Sequence, residues 1–278
     1  MSDLLQPPLS LADLPPGNRL YLLACETSSD PSMVWGTEVE LEPLRDEIAR
    51  LNRDGAFLLT PVHLLVKAVE RAVAAHPEVN RRVLRGQIRP YTGHHLIVST
   101  QRRDGRAGVV HLRDVQAMSV EDIGRAIWTQ LLQERAAGGR LSDRVLNRRR
   151  YPLMRVLGPR ISGALFRSAM GWMDRRGRDL RGLGLGPGAP VLVNYLGGHG
   201  MPPMRSFRPS RLPLGYALTS VTIGASERKP MATDAGIEAR WVAPVHVRSD
   251  HRLVDGIELG RFTATIKEYV EHPERLTR

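Results

Sequence analysis

The stretch from Ile237 to Val270 changes its periodicity once, and that change fixes the layout of the carboxyl-terminal part of the chain. Ile237 to Val247 reads as a strand, with Trp241, Val245 and Val247 among its apolar or β-branched positions. Leu259, Phe262, Ile266 and Val270 then recur at helical spacing, and Pro273 ends the run. Between them lies Ser249-Asp250-His251-Arg252-Leu253-Val254-Asp255-Gly256, a short connection held at both ends by packed elements and containing His-x-x-x-Asp-Gly. Such a connection fixes an imidazole through one nitrogen while the other takes and returns a proton, work suited to a ring that titrates near neutrality. Asp255 either acts on that imidazole or pairs with an arginine to lock the turn, and Gly256 allows a tight backbone approach beside it. By average residue usage the pattern alone arises by chance roughly a few times in a hundred chains of this length. The surroundings must carry the inference.

With 278 residues the chain has ample material for a core. It holds no apolar run of about eighteen residues, so no transmembrane helix is expected. Met1 to Pro8 lacks the basic-then-apolar plan of a secretory signal, and a cytoplasmic location follows as the default. Cys25 is the only cysteine, which excludes an internal disulfide and a multi-cysteine metal site. There is no His-Glu-x-x-His, no Walker A loop and no dinucleotide fingerprint, and the glycine-rich run 182–188 precedes a strand, as a flexible connector would. The net charge of +11 is uneven: residues 148–181 hold ten arginines against Asp174 and Asp179, a surplus of eight. A solvated face explains this surplus as well as an anionic partner does, whether a phosphorylated small molecule, a membrane surface or nucleic acid. Nucleic acid is the weakest of these, because few aromatics accompany the arginines and no reading motif is present.

Residues 1–18 read as an extended arm. Val34 to Leu41 reads as a strand and Glu42 to Asn52 as a helix. Thr60-Pro61 opens a clearer helix, with Val62, Leu65, Val66, Val69, Ala72 and Val73 on one stripe and Pro77 closing it. Tyr91 to Thr100 and Gly108 to Leu112 are expected as strands around the Asp104-Gly105 turn, and Ser119 opens a further helix through a capping box. Leu153, Leu157, Ile161, Leu165, Ala169 and Trp172 form an apolar stripe among the arginines, suited to its own domain or to a membrane surface. Val191 to Gly198 and Leu218 to Gly224 are strands, and Lys229-Pro230 with Asp234-Ala235-Gly236 marks the turn into the last strand. His63 and His76 are expected at the surface or its boundary, His94, His95 and His111 in the hairpin near a channel, and His246 on the last strand. None has metal-ligand spacing.

Taken together, Asp250 to Gly256, the following Phe262, Ile266, Lys267, Glu268 and Tyr269, and Pro273-Glu274-Arg275-Leu276 resemble the end of the acyltransferase (E2) catalytic domain of 2-oxoacid dehydrogenases. Val66-Lys67-Ala68-Val69 through His76-Pro77-Glu78-Val79-Asn80 resembles a helix of the same family. The resemblance implies an α/β fold like that of chloramphenicol acetyltransferase: a two-layer sandwich with a mixed β-sheet and flanking helices, formed by residues 1–278 as one catalytic domain. It implies His251 as general base, no permanently bound cofactor, an acyl-coenzyme A co-substrate and a homotrimer with its site between subunits.

Three departures bear on function. Residues 148–188 are inserted before the next strand. Aligning Leu196-Gly197 with the family's strand puts Asn194 where the family carries an oxyanion-binding serine; an asparagine amide can donate to the same oxygen. No lipoyl domain or linker precedes the domain, which argues for a free-standing enzyme acting on a small-molecule hydroxyl or amine, as in specialised metabolism. The alternatives are a dihydrolipoyl acyltransferase and a non-catalytic trimeric scaffold. On this reading Asp255 pairs with an arginine, Arg19 being the candidate, and Gly197, Gly198, His199, Gly256 and Arg19 lie about the substrates.

Overall fold

The computed structural model describes residues 6–7, 9, 31–55, 57–84, 86–101, 107–136, 161, 164, 168, 189–198, 200, 202–203 and 218–277. Nine strands and four α-helices run in the order β1 (Ser32–Glu40), α1 (Glu42–Asp54), α2 (Pro61–Ala75), β2 (Arg81–Leu84), β3 (Gln87–Pro90), β4 (Leu96–Gln101), β5 (Ala107–Leu112), α3 (Val120–Ala136), β6 (Val191–Tyr195), β7 (Thr219–Ile223), β8 (Glu227–Thr233), β9 (Gly236–Asp250) and α4 (Gly256–Glu271) among the described residues. The main sheet is mixed, in the order β1-β9-β7-β6-β4-β5, and β6 lies parallel to both β4 and β7. β9 is long enough to pair twice. Its second half lies between β1 and β7, while its first half pairs with β8.

Side-chain alternation gives the sheet two different faces. Val98 of β4, Val193 of β6, Val221 of β7 and Val245 and Val247 of β9 belong to one continuous core with helix residues such as Leu44, Leu65, Val69, Ile123 and Phe262. Burying each such side chain contributes roughly 1.5–3 kcal/mol. The opposite face carries a smaller apolar cluster of Ile97, Ala189 and Leu192 with Val109. Beyond it the same face turns polar, with Asn194, Thr222, His246, Arg248 and Asp250.

Helix starts follow the sequence signals. Ser119 and Asp122 cap α3 reciprocally: the Asp122 N–H donates to Ser119 Oγ (3.1 Å) and the Ser119 N–H to Asp122 Oδ2 (3.0 Å). Several expectations need correction. Residues Tyr91 to His95 are not strand; β4 begins at Leu96, and the preceding hairpin of β2 and β3 is additional. Lys229-Pro230 is not part of a turn but lies inside β8, where Pro230 is tolerated because β8, among the described residues, pairs only with β9. Of the arm, Gln6 and Leu9 donate backbone N–H groups to the Pro90 and Ile88 carbonyls. Of the inserted segment only Ile161, Ala164 and Ser168 are described, all helical and exposed, and of its apolar stripe only Ile161 is among them. Arg19, Cys25 and the remainder of 148–188 lie outside the described residues. No described helix is long and apolar enough to cross a membrane.

His63 is buried, contrary to expectation, because it turns back to accept the Thr60 N–H on Nδ1 (3.2 Å) beneath α3. Gly124 of α3 makes the room: a Cβ there would meet the Phe57 ring at 2.4 Å and His63 Cε1 at 3.2 Å. Burial pushes the His63 ring down to about 4. Between about pH 6.5 and that value the unfolded chain binds a proton that the native state refuses, so stability falls as pH falls. The loss across this window should reach about 3 kcal/mol. Denaturant unfolding at successive pH values should show a shallower dependence for His63→Gln than for the natural chain.

Candidate active site

The connection after β9 is built around one buried carboxylate. Asp250 is fully buried at the end of the strand, and Arg252 folds back onto it. Arg252 donates from Nε to Oδ1 (2.9 Å), from its Nη2 amine to Oδ2 (2.6 Å) and from its backbone N–H to Oδ1 (3.0 Å). Paired hydrogen bonds of this kind fix orientation as well as neutralising charge. The Leu253 N–H closes the turn on the Asp250 carbonyl (2.9 Å), and Leu253 and Val254 are anchored in the core. His251 is left half-buried at the apex, with its N–H donating to the Pro31 carbonyl just before β1 (2.8 Å).

The imidazole is also oriented. His251 Nδ1 lies 3.1 Å from the Val254 carbonyl oxygen. A carbonyl only accepts, so Nδ1 carries the proton and donates it, which makes Nε2 the basic nitrogen of the ring.

Asp255 caps α4. Its Oδ1 accepts the Glu258 N–H (2.8 Å), and Glu258 Oε2 accepts the Asp255 N–H (2.8 Å). Burial of Glu258 pushes its carboxyl up, an effect eased by that backbone N–H. The arginine–carboxylate lock of the turn is therefore Arg252 on Asp250. A pairing of Asp255 with Arg19 lies outside the described residues. Gly256 is not needed for a close approach: a Cβ there would meet Trp35 Cζ2 at 3.5 Å, an ordinary contact.

Asn194 stands near the carboxyl end of β6, half-buried, on the sheet face away from the core. Ser99 Oγ of β4 donates to Asn194 Oδ1. Gly197 follows at once, and its missing Cβ is used by the chain itself, since one would lie 2.5 Å from the Tyr195 hydroxyl. Gly198 is exposed with open space about it, and His199 lies outside the described residues.

The two principal residues do not meet within one chain. Asn194 is in register with Thr222, and Thr222 with His246, so Asn194 lies two strands from β9 at the level of His246. His251 is five residues further on. At about 3.3 Å per residue and about 4.8 Å per strand, the Cα atoms are about 19 Å apart.

Of the other histidines, His95 is buried and accepts the Asp114 N–H on Nδ1 (3.2 Å), with burial pushing its ring down. His94 Nδ1 lies 2.9 Å from Glu70, which also binds the buried Lys67 ammonium (2.9 Å). His246 is buried against Gly36, where a Cβ would come within 3.0 Å of Nδ1. Among the described residues no group of three or more His, Cys, Asp or Glu could hold a metal ion. The Arg252 clamp was not singled out from the sequence, although Asp250 and Arg252 bracket the histidine there.

A family model for 2-oxoacid dehydrogenases acyltransferase (catalytic domain) matches residues 25–147 and 217–278. The match includes His251, Asp255 and Gly256 and leaves out Asn194, Gly197, Gly198 and His199. Among solved structures, a probable dihydrolipoamide acetyltransferase from Listeria monocytogenes has a TM-score of 0.62 at 17% identity, covering 96% of this chain and 95% of that one. The dihydrolipoamide acetyltransferase of Azotobacter vinelandii gives 0.63 at 15%, covering 98% of each chain. A chloramphenicol acetyltransferase gives 0.59 at 12%, covering 96% of this chain and 99% of that one. These likenesses establish the fold. Comparison with curated proteins gives no match.

Replacing Arg252 with Ala should leave the Asp250 carboxylate buried and uncompensated and cost about 3–5 kcal/mol in urea unfolding. Asp255→Ala, which removes only the cap, should cost about 1 kcal/mol.

Proposed function

The chain belongs to the family of 2-oxoacid dehydrogenase acyltransferase catalytic domains, and from that premise we propose that it transfers an acyl group from coenzyme A to a small-molecule hydroxyl or amine, with His251 as general base. The observation that carries this reading is the hydrogen bond from His251 Nδ1 to the Val254 carbonyl, which directs basicity to Nε2. Nε2 takes the acceptor's proton as its oxygen or nitrogen attacks the thioester carbonyl. The carbonyl oxygen becomes an oxyanion and receives a hydrogen bond from the Asn194 amide. When the tetrahedral species collapses, the carbon–sulfur bond breaks and the coenzyme A thiolate takes the proton back from His251. Asp255 holds the turn and the helix start in register. No resident metal or cofactor is invoked.

The separation of about 19 Å within one chain supports a site assembled from two subunits, His251 from one and Asn194 from the next, in a homotrimer. Gly197, Gly198, Gly256, His199 and Arg19 are proposed to lie about the substrates. In the Azotobacter vinelandii enzyme a serine, a histidine and an asparagine four positions beyond the histidine are the residues whose role in the catalytic mechanism has been investigated. His251 and Asp255 keep that spacing.

A second reading, transfer between coenzyme A and a dihydrolipoyl group, is favoured by the family match itself. Free coenzyme A formed from acetyl-coenzyme A, resolved by chromatography because a dithiol acceptor leaves the thiol count unchanged, separates the two when it is measured with free dihydrolipoamide and with a panel of small alcohols and amines. Turnover confined to dihydrolipoamide would replace the first reading with the second, and coenzyme A binding without turnover would leave a scaffold. With the productive acceptor, His251→Ala should abolish turnover without changing the oligomer. Asn194→Ala should lower kcat by about 10²–10³. Co-expressing the two variants tests the shared site directly, because a mixed trimer pairs the intact His251 of one chain with the intact Asn194 of another. Recovered activity is expected, and none in a mixed trimer of native mass would rule the shared site out.

A further inference from the structure

The strand register places Ser99 beside Asn194 independently of any side-chain contact. Val98 of β4 is opposite Val193 of the parallel β6, so the next residues, Ser99 and Asn194, stand side by side on the face away from the core. One step earlier on the same face stand Ile97 and Leu192, members of a small apolar cluster. The polar pair therefore begins where the apolar cluster ends, toward the carboxyl ends of parallel strands, where ligands of open α/β sheets commonly bind.

An asparagine is an ambiguous oxyanion ligand. Its amide presents either two N–H donors or a carbonyl oxygen, depending on a half-turn about one torsion, and the second orientation repels an anion. Ser99 Oγ donates to Asn194 Oδ1, which engages the carbonyl end on β4 and turns the NH₂ end away from it. We infer that Ser99 is a positioning residue that holds the Asn194 amide with its donors toward the developing oxyanion. This inference rests on the reading of Asn194 as the oxyanion donor. A serine hydroxyl in that role can rotate to find its partner, whereas an amide works only with its NH₂ end forward and its carbonyl end satisfied elsewhere. Ser99, donating to Oδ1, satisfies that end within the same sheet.

The test is a double-mutant cycle on the full-length protein. It uses acetyl-coenzyme A with whichever acceptor, dihydrolipoamide or a member of the alcohol and amine panel, supports the fastest turnover. Ser99→Thr keeps the hydroxyl, and Ser99→Val replaces it with a methyl at nearly the volume of threonine. Ser99→Val should lower kcat on the order of tenfold with KM for acetyl-coenzyme A unchanged, whereas Ser99→Thr should retain kcat. In an Asn194→Ala background Ser99→Val should have no further effect on kcat. Equal losses for Thr and Val, an undiminished effect in the Asn194→Ala background, or no effect of Val would each overturn the inference while leaving Asn194 as donor. If Asn194→Ala itself leaves kcat unchanged, the reading of Asn194 falls and the role of Ser99 falls with it. Thermal unfolding of the Thr and Val variants, expected to match each other, separates lost orientation from lost folding.

Discussion

The site depends on the ion pair between Asp250 and Arg252. A carboxylate buried at the end of a strand is costly unless it is neutralised and its oxygens are hydrogen-bonded. Arg252, two residues on, supplies both from side chain and backbone at once, which obliges the chain to turn at the intervening residue. That residue is His251. The electrostatic requirement of one aspartate thus becomes a geometric statement about an imidazole, and Leu253 and Val254 make it rigid by anchoring the far side of the turn in the core. The Val254 carbonyl that selects the ring tautomer is therefore as firmly placed as the core beneath it.

On the proposed reading, the same sheet separates what the turn prepares from what completes it. β9 carries the histidine past the edge of β7, while β6 holds Asn194 two strands away and well behind. Nothing local can shorten that distance, because it is fixed by strand spacing and register. A chain with this topology that uses both residues in one reaction needs a second copy, and its two half-sites can each be well ordered without being competent alone. The division also keeps each half's requirements apart: the histidine half is a matter of turn chemistry, the asparagine half a matter of cross-strand pairing.

What the sequence makes legible follows this division. The junction of β9 and α4 is readable because a period of two gives way to a period of 3.6, and the cap at Asp255 is signalled by Glu258 three residues on, although the expectation from sequence gives that aspartate to an arginine or to the imidazole. The helix from Pro61 is readable for the same kind of reason. The hairpin of β2 and β3 is not: its four-residue strands, Arg-Arg-Val-Leu and Gln-Ile-Arg-Pro, are too short and too basic to show alternation. Burial of His63 is also hidden, since it depends on Gly124 sixty-one residues later leaving space for two rings. The partnership of Ser99 and Asn194 is hidden for a deeper reason. It joins residues ninety-five positions apart through parallel pairing, and no periodic pattern along either strand encodes the register of the other.

That last point changes how a substitution at an oxyanion position should be judged. Exchanging a hydroxyl for an amide gains a second donated proton but adds an orientational choice, so the exchange is neutral only if the carbonyl end is satisfied elsewhere. Ser99 donating to the carbonyl oxygen satisfies that end of the amide in the productive orientation, and the repulsion of a misoriented carbonyl toward an oxyanion disfavours the other orientation during the reaction. On the proposed reading, the chemistry of this site is therefore a property of a pair of residues on adjacent strands. Asn194 taken alone would suggest a weakened enzyme, whereas Asn194 with its carbonyl oxygen on Ser99 has its amide protons left for the oxyanion.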